Sequence, residues 1–461
     1  MKFRKFKNLI ILFCCVFTCF TQFACAIEDS PKTKNQQVKL NVEETKKLVS
    51  KIDFDTVLQK AIEHSYDLKI ADFNILISKQ DIRGARSEYF PKLMLNAGTE
   101  YTKNYRDNRD TTVMTVGESF INPYTRYQSV MGITLQYNLF DFGVRRGNLN
   151  VAKEDVSVKE LEQAQKFQDL KLNIIDTYSK ILILKRQIDL NNEILKYQSE
   201  NKELKQRLYD AGEISKTELN DETVKVQKIE QRLNDLQSTL AESVNWLIFY
   251  TGEEYNPETL KISDMKKAEL DDTTFSDYTK TIVWRIKEKE LKKKEWEIKV
   301  AKRQNYPKIN TYGRYYIYGS NPSSYNDSLG DIRPSNFTVG ASVNMLAFDG
   351  MKNRANIQRK ILEYKQLEVE RDKAIAEFTM KLATMRSNLL YLDKQLENNN
   401  AIIKELTDKQ KSVHRLVSKK LASPIDENDV TIELLEQKIE YIKNSLTSVA
   451  ITKGIQVLTT Y

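Results

Sequence analysis

The sequence is poor in the residues that interrupt helices. Only 14 glycines and 8 prolines occur among its 461 residues. Because these residues form turns and end helices, their scarcity argues against many short elements. A chain of this length would ordinarily suggest two or three compact domains. The composition instead predicts a few long, uninterrupted helices.

Cysteine is absent after residue 25. All four cysteines lie within residues 1–26, where four basic residues precede an apolar run and a small-x-small site at Ala24-Cys25-Ala26. These features predict a cleaved signal peptide over residues 1–26. An uncleaved anchor and lipid attachment at Cys25 are the alternatives. The remaining chain then has no disulfide, thiol nucleophile or cysteine metal site.

Strong charge and enzyme motifs are also missing. The net charge is +8, and loss of the four signal-peptide cations leaves 8 − 4 = +4, too little to indicate nucleic-acid binding. The only histidines are His64 and His414, and no phosphate loop, zinc-ligand spacing or nucleophile motif occurs. We therefore predict no catalysis, no cofactor and no metal site.

Long hydrophobic runs are absent after the signal peptide. No later stretch is apolar for 18 residues, so any membrane crossing would be made by strands. Residues 128–140 do alternate, and we predict that the apolar side faces lipid. Its members are Ile133, Leu135, Tyr137 and Leu139, opposite Gly132, Thr134, Gln136 and Asn138. This period of two indicates a strand, and a helical period begins at Val144.

The same strand-to-helix passage occurs twice. The corner Phe140-Asp141 returns as Phe348-Asp349, 208 residues later, which predicts two similar halves. We assign residues 27–252 to the first half, with a helix over 52–89, a β-hairpin over 92–140 and a helical hairpin over 144–250. A linker at 253–275 leads to the second half, 276–461, with a helix, a β-hairpin over 308–347, a loop at 320–335 and a helical hairpin over 350–460. Apolar residues at three- and four-residue spacing form narrow seams over residues 167–188 and, with Met385 taken in place of Arg386, over residues 375–396. The strict alternation of the second seam predicts a coiled coil.

Two hairpins supply only four strands, and four strands cannot close a barrel. A small soluble β-sandwich is one alternative. Closure by several copies of the chain explains better why one strand face is apolar and the other polar. The predicted fold is therefore mainly α-helical with a membrane β-barrel shared between copies.

These features together resemble the TolC family of outer membrane efflux proteins. The resemblance is carried by the repeated corners, by a repeated proline before a strand (Phe90-Pro91-Lys92-Leu93 and Tyr306-Pro307-Lys308-Ile309), and by the tips at 209–212 and 425–429. It implies a homotrimer with a twelve-stranded barrel in the outer membrane and a helical tunnel in the periplasm. It also implies docking to a periplasmic adaptor protein and an inner-membrane pump.

The resemblance further implies a constriction at the tunnel end, formed by Asp426 and Asp429. Glu218 and Asp221 hold the equivalent places at the first tip, and ordinary first-turn acids are the alternative interpretation. The second tip has Lys420 where the first has Gly212, so its turn either differs or holds a strained lysine. The predicted function is a channel exporting small molecules or polypeptides, through efflux or type I secretion. A periplasmic coiled-coil adaptor or structural binding protein is the alternative.

Overall fold

The computed structural model describes residues 51–101, 115–116, 119–120, 127–268 and 278–459. The predicted signal peptide and part of the predicted linker lie outside these residues. Within them, two successions of helix, strand pair and long helical hairpin follow one another.

The first half opens with strand β1 (Lys51–Ile52) and helices α1 (Phe54–His64) and α2 (Tyr66–Ser87). The prediction of a single helix over 52–89 is therefore wrong. Ser65 adopts φ −48° and ψ 120°, and its hydroxyl accepts a hydrogen bond from the Leu68 N–H at 3.3 Å. It thus ends one helix and caps the next.

The strands and long helices of the first half follow. They are β2 (Lys92–Tyr101), the short pair β3 (Thr115–Val116) and β4 (Ser119–Phe120), β5 (Tyr127–Phe140), α3 (Val144–Asp210) and α4 (Lys216–Thr251). Gly252 ends α4 in the left-handed conformation with φ 70°, which glycine adopts without steric cost.

The second half repeats this order with local differences. Its elements are β6 (Lys261–Ile262), α5 (Ile282–Arg303), β7 (Lys308–Asn321), α6 (Tyr325–Gly330), β8 (Arg333–Asn344), α7 (Lys352–Ser418) and α8 (Pro424–Thr459). The predicted loop at 320–335 is wrong, because both strands reach into it and α6 lies between them. The strand predicted to reach 347 ends at Asn344. Strand β6 pairs in parallel with β1, so the predicted linker contains a strand.

The four long strands form one antiparallel sheet in the order β2-β5-β7-β8. Pro334 falls at a register shift between Tyr316 and Ile317, the kind of sheet position where proline is tolerated. In the described part of the chain, the outer edges of β2 and β8 have no partner strand.

The helices pack around α3, which contacts α1, α2, α4, α5 and α8. Within the described residues, the main helix contacts of α7 are those with α5 and α8. The main core cluster joins α1, α3 and α4, and it includes the predicted seam residues Leu170, Ile174, Tyr178, Ile181 and Leu184. Helices α3 and α7 both have 67 residues, but only Leu382 and Leu406 of α7 are buried.

Candidate functional site

The strand register collects the apolar side chains of all four strands on one face of the sheet. One row across the strands consists of Leu95, Ile133, Tyr315 and Phe337. The next consists of Leu93, Leu135, Gly313 and Val339. Directly paired residues share a face, so this surface is continuous. We name it the apolar sheet face.

Much of the apolar sheet face is uncovered in the single chain. Leu135 is 44% exposed, Phe337 72% and Val339 70%. Of the other predicted lipid-facing residues, Ile133 and Tyr137 are half-buried. Leu139 is 54% exposed and is the extra residue of a bulge between Asn138 and Phe140. A face this apolar and this exposed requires cover by lipid or protein.

Aromatic rings lie at both ends of the strands. At the loop end, the ring of Tyr127 lies 5.0 Å from that of Tyr101 and 4.6 Å from that of Tyr325, centroid to centroid. At the helix end, the ring of Phe142 lies 4.8 Å from that of Phe140 and 5.7 Å from that of Tyr306. Aromatic girdles on both sides of an apolar band are typical of strands at membrane interfaces.

The opposite face of the sheet is polar, and tyrosines of β7 cover its two repeat-related glycines. A Cβ on Gly132 would overlap the ring of its partner Tyr316, and a Cβ on Gly340 would lie 2.6 Å from the hydroxyl oxygen of Tyr312. Tyr316 also forms a 3.3 Å hydrogen bond with Thr134. These glycines therefore make room for aromatic side chains on the polar face.

The first corner is fixed by a buried ion pair. Asp141 is 6% exposed, and it accepts hydrogen bonds from the N–H groups of Gly143 at 3.1 Å and Arg145 at 2.9 Å. The Arg145 Nε donates to the same carboxylate at 2.9 Å, and its other nitrogens donate to the carbonyls of Glu88 and Leu139. The aspartate thus caps α3 while the arginine ties the helix to the strand end. Phe140 is exposed beside it.

The second corner keeps the aspartate but not the arginine. Asp349 accepts hydrogen bonds from the Asn353 N–H at 2.9 Å and from Asn305 Nδ2 at 3.3 Å. These bonds, led by that from Asn353, lower the pKa of Asp349. Phe348 is 73% exposed.

Both corners pass through two consecutive left-handed residues, with the glycine on opposite sides. The first corner has Phe142 at φ 54° and Gly143 at φ 87°, and the second has Gly350 at φ 66° and Met351 at φ 70°. Each corner therefore contains one non-glycine residue in a strained conformation.

At the first helical tip, Ser215 caps α4 and also contacts the acid Glu218. Ser215 Oγ accepts a hydrogen bond from the Glu218 N–H at 3.3 Å and donates one to Glu218 Oε1 at 3.2 Å. Asp221 lies one turn further along α4 and is exposed. Glu218 is thus engaged in starting α4.

The second tip forms the same turn with a lysine in place of glycine. Lys420 has φ 57°, and the Leu421 N–H reaches the Leu416 carbonyl at 2.8 Å, the same distance as the equivalent bond in the first tip. The tip therefore holds a strained lysine, the second of the two options left open by the sequence. Asp426 accepts a hydrogen bond from the Ser423 N–H at 3.0 Å and so caps α8.

Asp429 reaches a different neighbour. Its Oδ1 accepts a 2.8 Å hydrogen bond from Asn201 of α3, which is fully buried, and Asn428 Nδ2 donates to Asn201 Oδ1 at 2.9 Å. Partial burial of its carboxylate raises the pKa of Asp429, against the effect of Lys225. As a whole residue Asp429 stays exposed, so one side of it is free for a neighbour or for solvent. The structure brings Asp426 and Asp429 onto one helix start, and their role in a constriction stays a prediction.

The sequence interpretation missed a buried acid of α4 that contacts Gln198 and Lys205 of α3. Glu222 is 1% exposed and accepts hydrogen bonds from Gln198 and, at 2.7 Å, from Lys205 Nζ. Its position was detectable, because it falls at three- and four-residue spacing in an apolar series: Leu219, Glu222, Val226, Ile229 and Leu233. The seam between α3 and α4 is thus apolar near the sheet and polar near the tip. A charge at such a position fixes helix register more than it stabilises the contact.

The described residues contain neither a cluster of metal ligands nor a membrane-spanning helix. Within them, no three histidine, cysteine or acidic side chains lie close enough to hold a metal ion. None of the helices in the described ranges is both long and apolar enough to cross a bilayer.

Solved structures share this fold. The outer membrane protein VceC from Vibrio cholerae superposes with a TM-score of 0.72 at 14% identity, over 88% of this chain and 96% of that one. The Campylobacter jejuni CmeC outer membrane channel gives 0.71 at 13%, over 88% and 86%. The open state of the Neisseria gonorrhoeae MtrE outer membrane channel gives 0.65 at 14%, over 88% of both chains.

Sequence comparison leads to the same group. No curated protein matches the chain closely enough to count as a relative. The model of the outer membrane efflux protein family does match, over residues 57–253 and 287–449. That is most of the chain and includes both helical tips. The chain therefore belongs to the outer membrane efflux protein family.

Proposed function

We propose that three copies of this chain form a channel through the outer membrane. Four strands from each copy would close one barrel of 3 × 4 = 12 strands, and the long helices would continue it as a tunnel in the periplasm. The family consists of outer-membrane efflux channels, which transport rather than catalyse.

The observation that carries this proposal is the open sheet. It has an exposed apolar face, a polar face and two edge strands without partners in the described part of the chain. Unpaired edges are not tolerated in lipid, because their N–H and carbonyl groups would lack hydrogen bonds. Pairing β8 of one copy with β2 of the next would remove both edges and place the apolar face toward lipid.

The helical layer supports the same arrangement. Along α7, four exposed apolar residues follow one another at intervals of eleven, which keeps them on one helix face. They are Val369, Met380, Tyr391 and Ile402. The other edge of the layer carries exposed apolar residues of α2: Tyr66, Ile70, Phe73 and Ile77. In an assembly, the α7 stripe of one copy could pack against the α2 stripe of the next copy.

The tips would form the periplasmic end of the channel. Asp426 and Asp429 of three copies would surround the axis as a constriction, with Glu218 and Asp221 further from it. The tips would meet a periplasmic adaptor protein that connects to an inner-membrane pump, and the exported cargo would be small molecules or polypeptides. The adaptor alternative fits less well, since an adaptor has one helical hairpin and this chain has two, α3–α4 and α7–α8.

The test combines location, assembly and conductance. We expect the full-length protein in the outer-membrane fraction, three copies by native mass measurement in mild detergent, and discrete conductance steps in planar bilayers. The Asp426→Ala, Asp429→Ala variant should lose cation preference and block by divalent ions. A folded monomer in detergent would contradict the shared barrel. Unchanged selectivity in a conducting variant would contradict only the constriction.

A further inference from the structure

A cavity of about 360 Å³, partly open to the surface, lies where α1, α3, α5 and α8 meet, at the end of α8 remote from its tip. Its walls are mainly apolar and include Phe54, Leu58, Phe167, Ile175, Ile282 and Val457. Phe54, Ile175 and Ile282 are almost fully buried. The cavity is therefore part of the packed junction between these helices, and it is separate from the sheet and the tips.

Two lysines line this cavity, each over an aromatic ring. The Nζ of Lys171 lies 4.3 Å from the ring centroid of Phe167, and the Nζ of Lys453 lies 4.3 Å from that of Phe54. Among the described residues, no carboxylate lies within ion-pairing distance of either ammonium group. Other half-buried lysines of this structure do have such partners: Lys289 contacts Glu154 at 3.1 Å and Lys293 contacts Asp155 at 2.6 Å.

The combination selects one kind of ligand. An aromatic ring attracts an ammonium group weakly and does not neutralise its charge. Among the described residues, the only uncharged polar side chains in the lining are those of Gln168 and Gln456, and an amide supplies no counter-charge. An anionic head group would neutralise both ammonium groups, while an apolar chain would cover the walls. A neutral or cationic amphiphile would leave the ammonium groups without counter-ions. The cavity volume is at the lower end for ligand pockets, which favours one hydrocarbon chain over the two of a phospholipid.

We propose that this cavity binds a single-chain fatty carboxylate. The carboxylate would lie between Lys171 and Lys453, and the chain would lie along Phe54 and Phe167. This site is independent of the channel proposal, because every residue that forms it belongs to one copy.

The test uses the full-length protein in nanodiscs of zwitterionic phosphatidylcholine. Fluorescent dansylaminoundecanoate is titrated first and is then displaced with dodecanoate or with dodecanol. We expect dodecanoate to displace the probe and dodecanol to fail. The Lys171→Gln, Lys453→Gln variant should bind about tenfold more weakly, because it lacks both counter-charges. Ala164→Phe, which fills the cavity, should abolish binding.

The matched control changes the same charge on the same two helices. Lys180 and Lys438 are exposed residues of α3 and α8 outside the cavity, so Lys180→Gln, Lys438→Gln should bind the probe like the unchanged protein. Lys171→Arg, Lys453→Arg should retain most of the affinity. The proposal is overturned if the probe does not bind, if both glutamine double variants bind alike, or if dodecanol competes as well as dodecanoate. Circular dichroism of each variant confirms that it is folded before its affinity is compared.

Discussion

At the scale of single residues, Lys420 shows that the tip turn is set by its hydrogen bonds rather than by its residue type. It occupies the left-handed conformation that Gly212 holds in the first tip, and the bond closing the turn is equally short in both. A side chain in this conformation is strained by contact with its own backbone. The second tip therefore keeps its shape at a conformational cost.

We expect Lys420→Gly to stabilise the protein by about 0.5–1 kcal/mol, since relief of strain exceeds the added freedom of the unfolded chain. The reverse change, Gly212→Lys, should cost about 1 kcal/mol. No atom lies within 4 Å of a Cβ built on Gly212, so this control measures conformation without a clash. Thermal unfolding followed by the helical circular dichroism signal gives both values. Destabilisation by Lys420→Gly would show that the lysine side chain makes a contact of its own.

Asp429 provides a pH-dependent prediction. Burial raises its pKa, so its negative charge should be lost at a higher pH than that of an ordinary aspartate, whose pKa is about 3.9. As the pH is lowered, cation preference in planar bilayers should therefore begin to fall at a pH above the pKa of an ordinary aspartate, because rings of ionised acids attract cations. The Asp429→Asn variant should not show this pH dependence of cation preference, and the exposed control Asp221→Asn should still show it.

Protonation of Asp429 should change the stability of the fold in the opposite direction to acid unfolding, and this difference separates the two effects. Because the folded-state pKa of Asp429 is raised, the folded protein binds the proton more tightly than the unfolded chain does. Protonation of Asp429 between its unfolded-state and folded-state pKa values therefore favours the folded state. A selectivity change that tracks loss of helical signal instead of this titration would contradict the prediction.

At the scale of elements, the two faces of β5 should respond differently to charge. Leu135 and Gln136 are neighbours, and both are exposed in the single chain, so a protein in water would tolerate lysine at either position. In a membrane, Leu135→Lys should cost about 2–4 kcal/mol and Gln136→Lys very little. The measurement is the amount of folded protein in the outer membrane. Equal yields would place both faces in water. Thr134 is unsuitable as the control because it is buried against Tyr316.

The glycines of the sheet should also differ from one another. A Cβ on Gly132 would overlap the ring of Tyr316, whereas no atom lies within 4 Å of one on Gly313. Gly132→Ala should therefore cost about 1–3 kcal/mol through overpacking, and Gly313→Ala should be neutral or slightly stabilising. Resistance to thermal unfolding of the assembled protein measures the difference. Equal effects would mean that Tyr316 moves aside freely.

Long elements could be predicted from the sequence, and short ones could not. The periods of α3 and β5 persist over many residues, so local noise does not hide them. The break at Ser65 depends on one capping serine, and the two-residue pairing of β1 with β6 depends on contact between distant segments. Glu222 was visible as a seam position but was not recognised, because acids are common on long helices. The tips could be located by comparing the two halves. The contact of Asp429 with Asn201 could not, because it depends on how α8 packs against α3.

At the scale of the whole molecule, α7 is a long helix with only two buried residues, Leu382 and Leu406. Its exposed stripe predicts a contact with another copy. Met380→Asp with Tyr391→Asp should therefore prevent assembly, since burying each apolar side chain is worth about 1.5–3 kcal/mol. Lys404 is exposed on the same helix outside the stripe, so Lys404→Asp is the matched control. Native mass measurement should show single copies for the first variant and the full assembly for the control. Intact assembly of the double variant would exclude this stripe from the contact.

The exchanged glycines at the two corners affect how the halves, and relatives of this chain, are aligned. The corner aspartates are 349 − 141 = 208 residues apart, but the glycines in the left-handed pairs are 350 − 143 = 207 apart. Matching glycine to glycine would therefore insert a gap of one residue. One residue corresponds to about 100° around a helix, so the error would pair the seam of α3 with an exposed side of α7. An ancestral sequence inferred from such an alignment would carry its hydrophobic seam on the wrong face, although every individual match would look plausible.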